Sequence, residues 1–306
     1  MTNQYLRNTT ADYITGAVSA LKGVKDTVVL INGPTGCKTY YGFETGQSFI
    51  DPQKLGGMQK GMHVKGTIDN ALLRSQFFRD FTQIPSTNLR YEDFIFGTVE
   101  QLKRALNDIA VAADFSLIAV INAPGTSLLS EAIEPELKVI AEEKGVPYVY
   151  IESPGLSENM HRGYDETVAR IIRAAAKSGN GKKDLKKSRP SVNVFGLGSR
   201  DLYVDGDLEE LTNLLSLCGI DVNCAPGAFC SVKELEAIGD ADANVFLASE
   251  KCRKTKELMS SCYGMPSFDF GCVPIGPDLS EAFAKGISGL LGTDCSRALE
   301  IGRAHV

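Results

Sequence analysis

With 306 residues, the chain exceeds one ordinary α/β layer and suits two domains of ~150 residues each. Its 43% hydrophobic and 23% charged residues are the proportions of a globular protein with sizeable cores, not of a disordered or fibrous chain. A net charge of −6 leaves no cationic surplus to displace counterions from phosphate, which excludes general nucleic-acid binding.

Met1-Thr2-Asn3-Gln4 opens no charged-then-apolar export signal, and no apolar run reaches membrane-spanning length. Eight cysteines in such a chain point to a reducing cytoplasm, with thiols free or metal-bound rather than paired. From the N-terminus, apolar runs alternate with longer helical patterns, the mark of βαβ units and a mainly parallel sheet. Strands are predicted at 27–31, 93–96, 116–121 and 148–151, and helices at 13–21, 98–113, 128–143 and 164–177. Gly23 and Gly145 stand where C-terminal caps belong. Residues 49–91 form a long insertion with one clear helix, 70–78, and connections of that length are usually functional or mobile.

The first strand runs directly into Asn32-Gly33-Pro34-Thr35-Gly36-Cys37. That places one thiol on a glycine-rich turn at the carboxyl end of a strand, where ligands bind in open α/β sheets. The following helix N-terminus and Lys38 are expected to favour thiolate, the form that attacks and binds metal. The alternative is a small apolar cysteine filling a tight loop. Gly36-Cys37-Lys38-Thr39 resembles the end of a phosphate-binding loop, but Cys37 separates glycine from lysine and Gly33 and Gly36 are too close in sequence for the backbone cradle.

Residues 177–190 have the composition of a solvated linker. A second α/β unit follows, with strands at 192–195, 221–224, 244–247 and 267–270 and helices at 208–217, 232–238, 252–263 and 279–290. Gly196-Leu197-Gly198 lacks the third glycine and the acidic partner of a dinucleotide site. Cys218 and Cys262 read as packing thiols. Cys224, Cys230, Cys252 and Cys272 follow strand ends on one sheet edge, so either at least three converge on a cleft or all four are independent loop cysteines. His63 and His161 fall in loops, the latter a candidate for lining a substrate cleft. The boundaries expected are a first domain at 1–178, a linker at 179–190, a second domain at 191–292 and a truncated end at 293–306. Within that end, 301–306 reads as the translation of a sequencing adapter.

Four stretches together resemble component 1 of the nitrogenase superfamily, including dark-operative protochlorophyllide reductase and related tetrapyrrole reductases. Gly33-Pro34-Thr35-Gly36-Cys37 is similar to the family's cluster-binding turn, and Glu92-Asp93-Phe94-Ile95-Phe96-Gly97 to its acidic-apolar-Phe-Gly segment. Gly163-Tyr164-Asp165-Glu166-Thr167 sits where the reductases carry a similar run, and Gly219-Ile220-Asp221-Val222-Asn223 resembles the second domain's turn. The resemblance implies two consecutive Rossmann- or flavodoxin-like parallel-sheet domains of a normally three-domain fold. It implies an anaerobic oxidoreductase subunit fed by an ATP-dependent iron–sulfur reductase. A cluster of the 4Fe–4S type or larger, shared with a second component 1 subunit in a homo- or heterodimer or higher assembly, would relay electrons to an unsaturated or thioether substrate.

By the same resemblance, Gly33, Pro34 and Gly36 shape the cluster turn and Cys37 is a metal ligand. The family's other two cluster cysteines align with Asp12 and Ala123, and its cofactor-anchoring cysteine with Ala248, which disfavours dinitrogen reduction. Asp12 is either a ligand or the cap of the helix from Tyr13. One thiolate cannot hold a cluster that takes four ligands. The missing thiols leave open a non-catalytic scaffold for cofactor assembly and, more remotely, a metal-free small-molecule binder. No nucleic-acid or membrane partner is expected.

Overall fold

The computed structural model describes residues 11–37, 84–112, 114–154, 157–178 and 188–303. The expected helix at 70–78, His63 and Lys38 lie outside the described residues.

The first half builds a parallel sheet of β1 (Thr27–Asn32), β2 (Leu117–Asn122) and β3 (Tyr148–Glu152) in the order β1-β2-β3. All six residues of both β1 and β2 are buried, as expected for parallel strands covered on both faces. Alternate side chains serve two cores. Val29, Ile31, Ala119, Ile121 and Ile151 face one, and Val28, Leu30, Ile118, Val120 and Tyr150 face the other. The second core is closed by α3 (Val99–Ala112) and α5 (Ile133–Lys144) through Leu102, Leu106, Leu137 and Ile140.

The first core is closed by α1 (Tyr13–Lys22) and α6 (Met160–Ser178), which cross at unusually close range. A Cβ on Gly16 would lie 1.9 Å from the Met160 carbonyl oxygen, and one on Gly163 would lie 1.9 Å from the Tyr13 carbonyl oxygen. Only glycine at both positions lets the two backbones touch.

The second half builds β4 (Ser191–Phe195), β5 (Asp221–Cys224), β6 (Ala243–Phe246) and β7 (Ser267–Asp269), all parallel in the order β5-β4-β6-β7. Its outer core gathers α7 (Val204–Leu217) and α10 (Pro277–Leu291) through Leu211, Leu215, Phe283 and Ile287. The inner face carries Phe195 stacked on Phe246, with centroids 5.0 Å apart, and joins the same apolar cluster as α1 and α6. The largest core is therefore common to both halves.

Polar groups pin that junction. Asp165 on α6 accepts hydrogen bonds from the backbone N–H of Lys254 (2.7 Å) and Thr255 (2.9 Å) and from the Thr255 hydroxyl (2.8 Å). It thereby caps α9 (Arg253–Tyr263), a helix of the other half. Next to it, burial opposes charge on Glu166, but bonds from Lys254 (2.5 Å), Arg162 (2.8 Å) and Tyr13 (2.8 Å) outweigh it and hold the carboxyl at about 2. The Gly163–Thr167 run is thus the seam between the halves.

One expected element changes type. Residues 93–96 form a short helix, α2 (Asp93–Phe96), instead of a strand. Asp93 accepts a hydrogen bond from the Arg90 N–H (2.7 Å), which starts a turn, and Gly97 at φ +106 ends it. Cys262, expected to pack, is exposed, whereas Cys218 is buried.

Candidate functional site

The backbone leaves β1 at Asn32, turns through Gly33 and Pro34, and enters a helix at residues 35–37. The Cys37 N–H donates to the Pro34 carbonyl (3.0 Å), so the thiol sits on the first helical turn. Gly33 is buried in a tight slot: a Cβ there would lie 2.8 Å from the Ala123 Cβ and 3.5 Å from Cys37 Sγ. Among the described residues, a Cβ on Gly36 would meet nothing within 4 Å. Cys37 is half-buried with its inner side against the common core.

Against the expected thiolate preference, burial pushes the Cys37 thiol above its ordinary value. Metal binding there must expel a proton. Alkylation of Cys37, followed by peptide mass mapping, should therefore rise ~10-fold per pH unit and show no plateau below about pH 9. A plateau near pH 7 would mean that an activating cation overrides burial.

Ala123 places a methyl where a second thiol would face Cys37 across Gly33. Asp12 is the cap of α1, its Oδ1 accepting from the Thr15 N–H (3.0 Å) and hydroxyl (2.9 Å). Among the described residues no group of three or more His, Cys, Asp or Glu side chains is placed to hold a metal. Among the described residues, the donors near Cys37 could hold one corner of a cluster and could not hold a whole one.

The second half offers no substitute. Cys224, Cys230 and Cys252 are buried in the common core, whereas Cys272 is exposed, so the convergence considered from their strand-end positions does not occur. Cys224 lies beside Cys230, and their contact together with burial pushes its thiol well up. Cys230 also reaches the Gly23 carbonyl (3.7 Å), and burial raises the Cys252 thiol. These are packing thiols. Ala248 follows β6 and lies against Gly196 after β4, and nearby in sequence Lys251 pairs with Asp201 (3.0 Å). His161 is half-buried on the first turn of α6.

A cavity of about 1100 Å³ lies along β3, lined by Tyr148, Tyr150, Glu166, Arg170, Arg173 and Lys254. A smaller one of about 490 Å³ is lined by Ser86, Thr87 and Asn88, which pair with β1 and the Cys37 turn, and by Arg90 and Arg104. The rim of that sheet edge is apolar and exposed: Tyr91, Ile95 and Phe96 around α2, and Leu128 beyond Ala123, are 59% to 85% accessible. Sequence patterning missed this rim, because a Phe-Ile-Phe run reads as a buried strand.

A family model described as nitrogenase component 1 type oxidoreductase matches residues 14–304. The B-type subunit of light-independent protochlorophyllide reductase from Dinoroseobacter shibae is 31% identical over 170 residues, 55% of this chain and 31% of that protein. Its counterpart from Methylobacterium radiotolerans is 28% identical, covering 70% and 40%. The nitrogenase iron-molybdenum cofactor biosynthesis protein NifE of Clostridium pasteurianum is 21% identical, covering 82% and 47%. A solved structure named nitrogenase Cp1 at pH 6.5 superposes with a TM-score of 0.73 at 21% identity, covering 97% of this chain and 52% of the other. The chain thus spans half or less of the curated relatives described.

Proposed function

This chain belongs to the nitrogenase component 1 type oxidoreductases, and from that membership we propose that it is the electron-accepting subunit of a multi-electron reductase. It receives electrons from an ATP-dependent iron–sulfur reductase and delivers them to an unsaturated or thioether substrate through a cluster shared with a second component 1 subunit. The observation that carries this reading is the Cys37 turn: one half-buried thiol at a sheet edge whose rim is exposed and apolar. A lone thiolate cannot complete a cluster, so the remaining ligands come from a partner chain, and Tyr91, Ile95, Phe96 and Leu128 are the kind of surface a partner covers.

When bound, the cluster supplies one-electron storage and relay. Gly33 leaves room for the thiol beside it, Pro34 and the first helical turn hold its backbone, and Asp12 keeps its capping role. No described helix is long and apolar enough to cross a membrane, and a reducing cytoplasm is the compartment suited to eight disulfide-free cysteines.

The test is anaerobic co-purification with the second component 1 protein, followed by iron and sulfide analysis. Wild-type complex should carry iron, and Cys37→Ser should fall to near background because a hard oxygen replaces a soft thiolate. Full iron content in Cys37→Ser would overturn the reading. A second reading, a scaffold for cofactor assembly, is supported by the similarity to the Clostridium pasteurianum assembly protein and by alanine at 123 and 248. Reductase-dependent turnover supports the enzyme; cluster transfer to an apo acceptor without turnover supports the scaffold.

A further inference from the structure

We infer that Thr87 is the positioning residue of the Cys37 turn, holding it from behind through a buried hydrogen-bonded frame. The inference rests on the reading of Cys37 as a ligand, and deepens it by naming what fixes that ligand's place.

Residues 84–89 lie alongside β1, with an isolated parallel bridge between Ile31 and Ser86. The Ile31 N–H donates to the Pro85 carbonyl (2.9 Å), and the Thr87 N–H donates to the Ile31 carbonyl (3.0 Å). The pairing then continues past the end of β1. The Leu89 N–H reaches the Gly33 carbonyl (3.3 Å), and the Thr35 hydroxyl donates to Asn88 Oδ1. Asn88 adopts φ +53, a left-handed backbone that asparagine tolerates better than other non-glycine residues, which suits it to this turn. Residues 85–89 therefore brace the turn itself as well as the strand.

At the centre of this brace, Thr87 is 2% exposed. Its hydroxyl accepts from the Gly33 N–H (3.0 Å) and donates to Asn32 Oδ1 (3.0 Å). Only a hydroxyl does both at one atom. The Asn32 amide then donates to Thr98 Oγ1 (3.2 Å) and to Asn122 Oδ1 (3.1 Å). Asn122 donates onward to Glu152 Oε1 (3.0 Å), and the Thr98 hydroxyl to Glu131 Oε2 (2.5 Å). The frame thus ends on two carboxylates. Because Asn32 Oδ1 faces a donor and Nδ2 faces two acceptors, the amide has one satisfactory orientation, and the position of Oγ1 on Thr87 follows from it. Gln101 fixes the other side of Thr87 by donating to its carbonyl (3.2 Å).

A Cβ added to Gly33 would lie 3.5 Å from both Cys37 Cβ and Sγ, so the thiol stands directly beside this glycine. Without the Thr87 hydroxyl, the Gly33 N–H and Asn32 Oδ1 are both buried and unpaired, a penalty relieved when the turn swings out to water. That movement carries Cys37 with it.

The test compares Thr87→Val, which removes the hydroxyl at nearly constant shape, with Thr87→Ser, which keeps it. It uses the full chain for alkylation and the assembled complex for spectroscopy. At fixed pH, Thr87→Val should alkylate Cys37 ~10-fold faster, leave the exposed Cys262 and Cys272 unchanged and shift the electron paramagnetic resonance signal of the reduced complex. Thr87→Ser should stay within ~2-fold of wild type. Thr98→Val cuts the frame beyond Asn32 and leaves the Gly33–Thr87 bond in place. An equal rise in that variant would assign the effect to general loosening and overturn the inference. If Thr87→Val does not fold, Thr87→Ala against Thr87→Ser carries the same comparison. Wild-type complex without iron but with the expected alkylation pattern would sink the cluster reading and leave the positioning role standing. Iron-loaded wild type with a Thr87→Val variant of unchanged alkylation rate and spectrum would do the reverse.

Discussion

Gly163→Ala should cost the protein about 3 kcal/mol or more and leave little folded chain, one of the largest effects available to a single methyl. The added carbon would sit 1.9 Å from the Tyr13 carbonyl oxygen and 2.7 Å from its carbon, both backbone atoms that cannot rotate away. The helices must separate, and separation unpacks Ile14, Ala17, Val168 and Ile171 in the core common to both halves. Gly16→Ala should act alike through Met160. The control is Gly289→Ala on α10, where a Cβ meets nothing within 4 Å among the described residues and the gain in helix propensity should stabilise by up to ~1 kcal/mol. Urea unfolding of the three variants checks the claim. A Gly163→Ala midpoint within error of wild type would show that the crossing is looser than described.

Asp165→Ala should lower stability by about 3 kcal/mol, because three hydrogen bonds to one buried carboxylate disappear and the first turn of α9 loses its cap. The cap comes from the other half of the chain, so the loss should also loosen the junction. Cys252, 2% exposed and at the N-cap of α9, should become reactive to thiol reagents well below the denaturant midpoint. Asp165→Asn keeps one acceptor and should fall between. If Asp165→Ala unfolds at the wild-type midpoint with Cys252 still protected, packing alone holds the halves together.

The strands were legible because parallel strands buried on both faces must be apolar throughout, and 27–31, 116–121 and 148–151 met that demand. The same rule misled at 93–96, where Phe94, Ile95 and Phe96 are apolar for a rim rather than a core, and the decisive atom was the Asp93 carboxylate. The capping role open to Asp12 was readable because it is local: acceptor and donor are three residues apart. The role of Gly163 was not, since it depends on Gly16 and Tyr13, about 150 positions away. Strand-end cysteines were placed correctly in sequence, but only packing could show that Cys224, Cys230 and Cys252 turn into the core while Cys272 faces out. At Cys37 the position on the turn was legible and the direction of its titration was not. Burial against residues distant in sequence pushes the thiol up.

The asparagines inside the two sheets carry one more consequence. Asn32 lies opposite Asn122, and Asn193 lies opposite Asn244 with its amide 3.0 Å from the partner's oxygen. Strands as uniformly apolar as β1 and β2 could slide past one another by two residues and still present the same faces to the same helices. Greasy side chains would scarcely notice the error. A buried amide would, because the slide leaves it facing methyl groups with no partner for its hydrogens. Each pair acts as an index mark, making one alignment of otherwise interchangeable strands the correct one, and in the first sheet the mark falls where the chain turns toward Cys37.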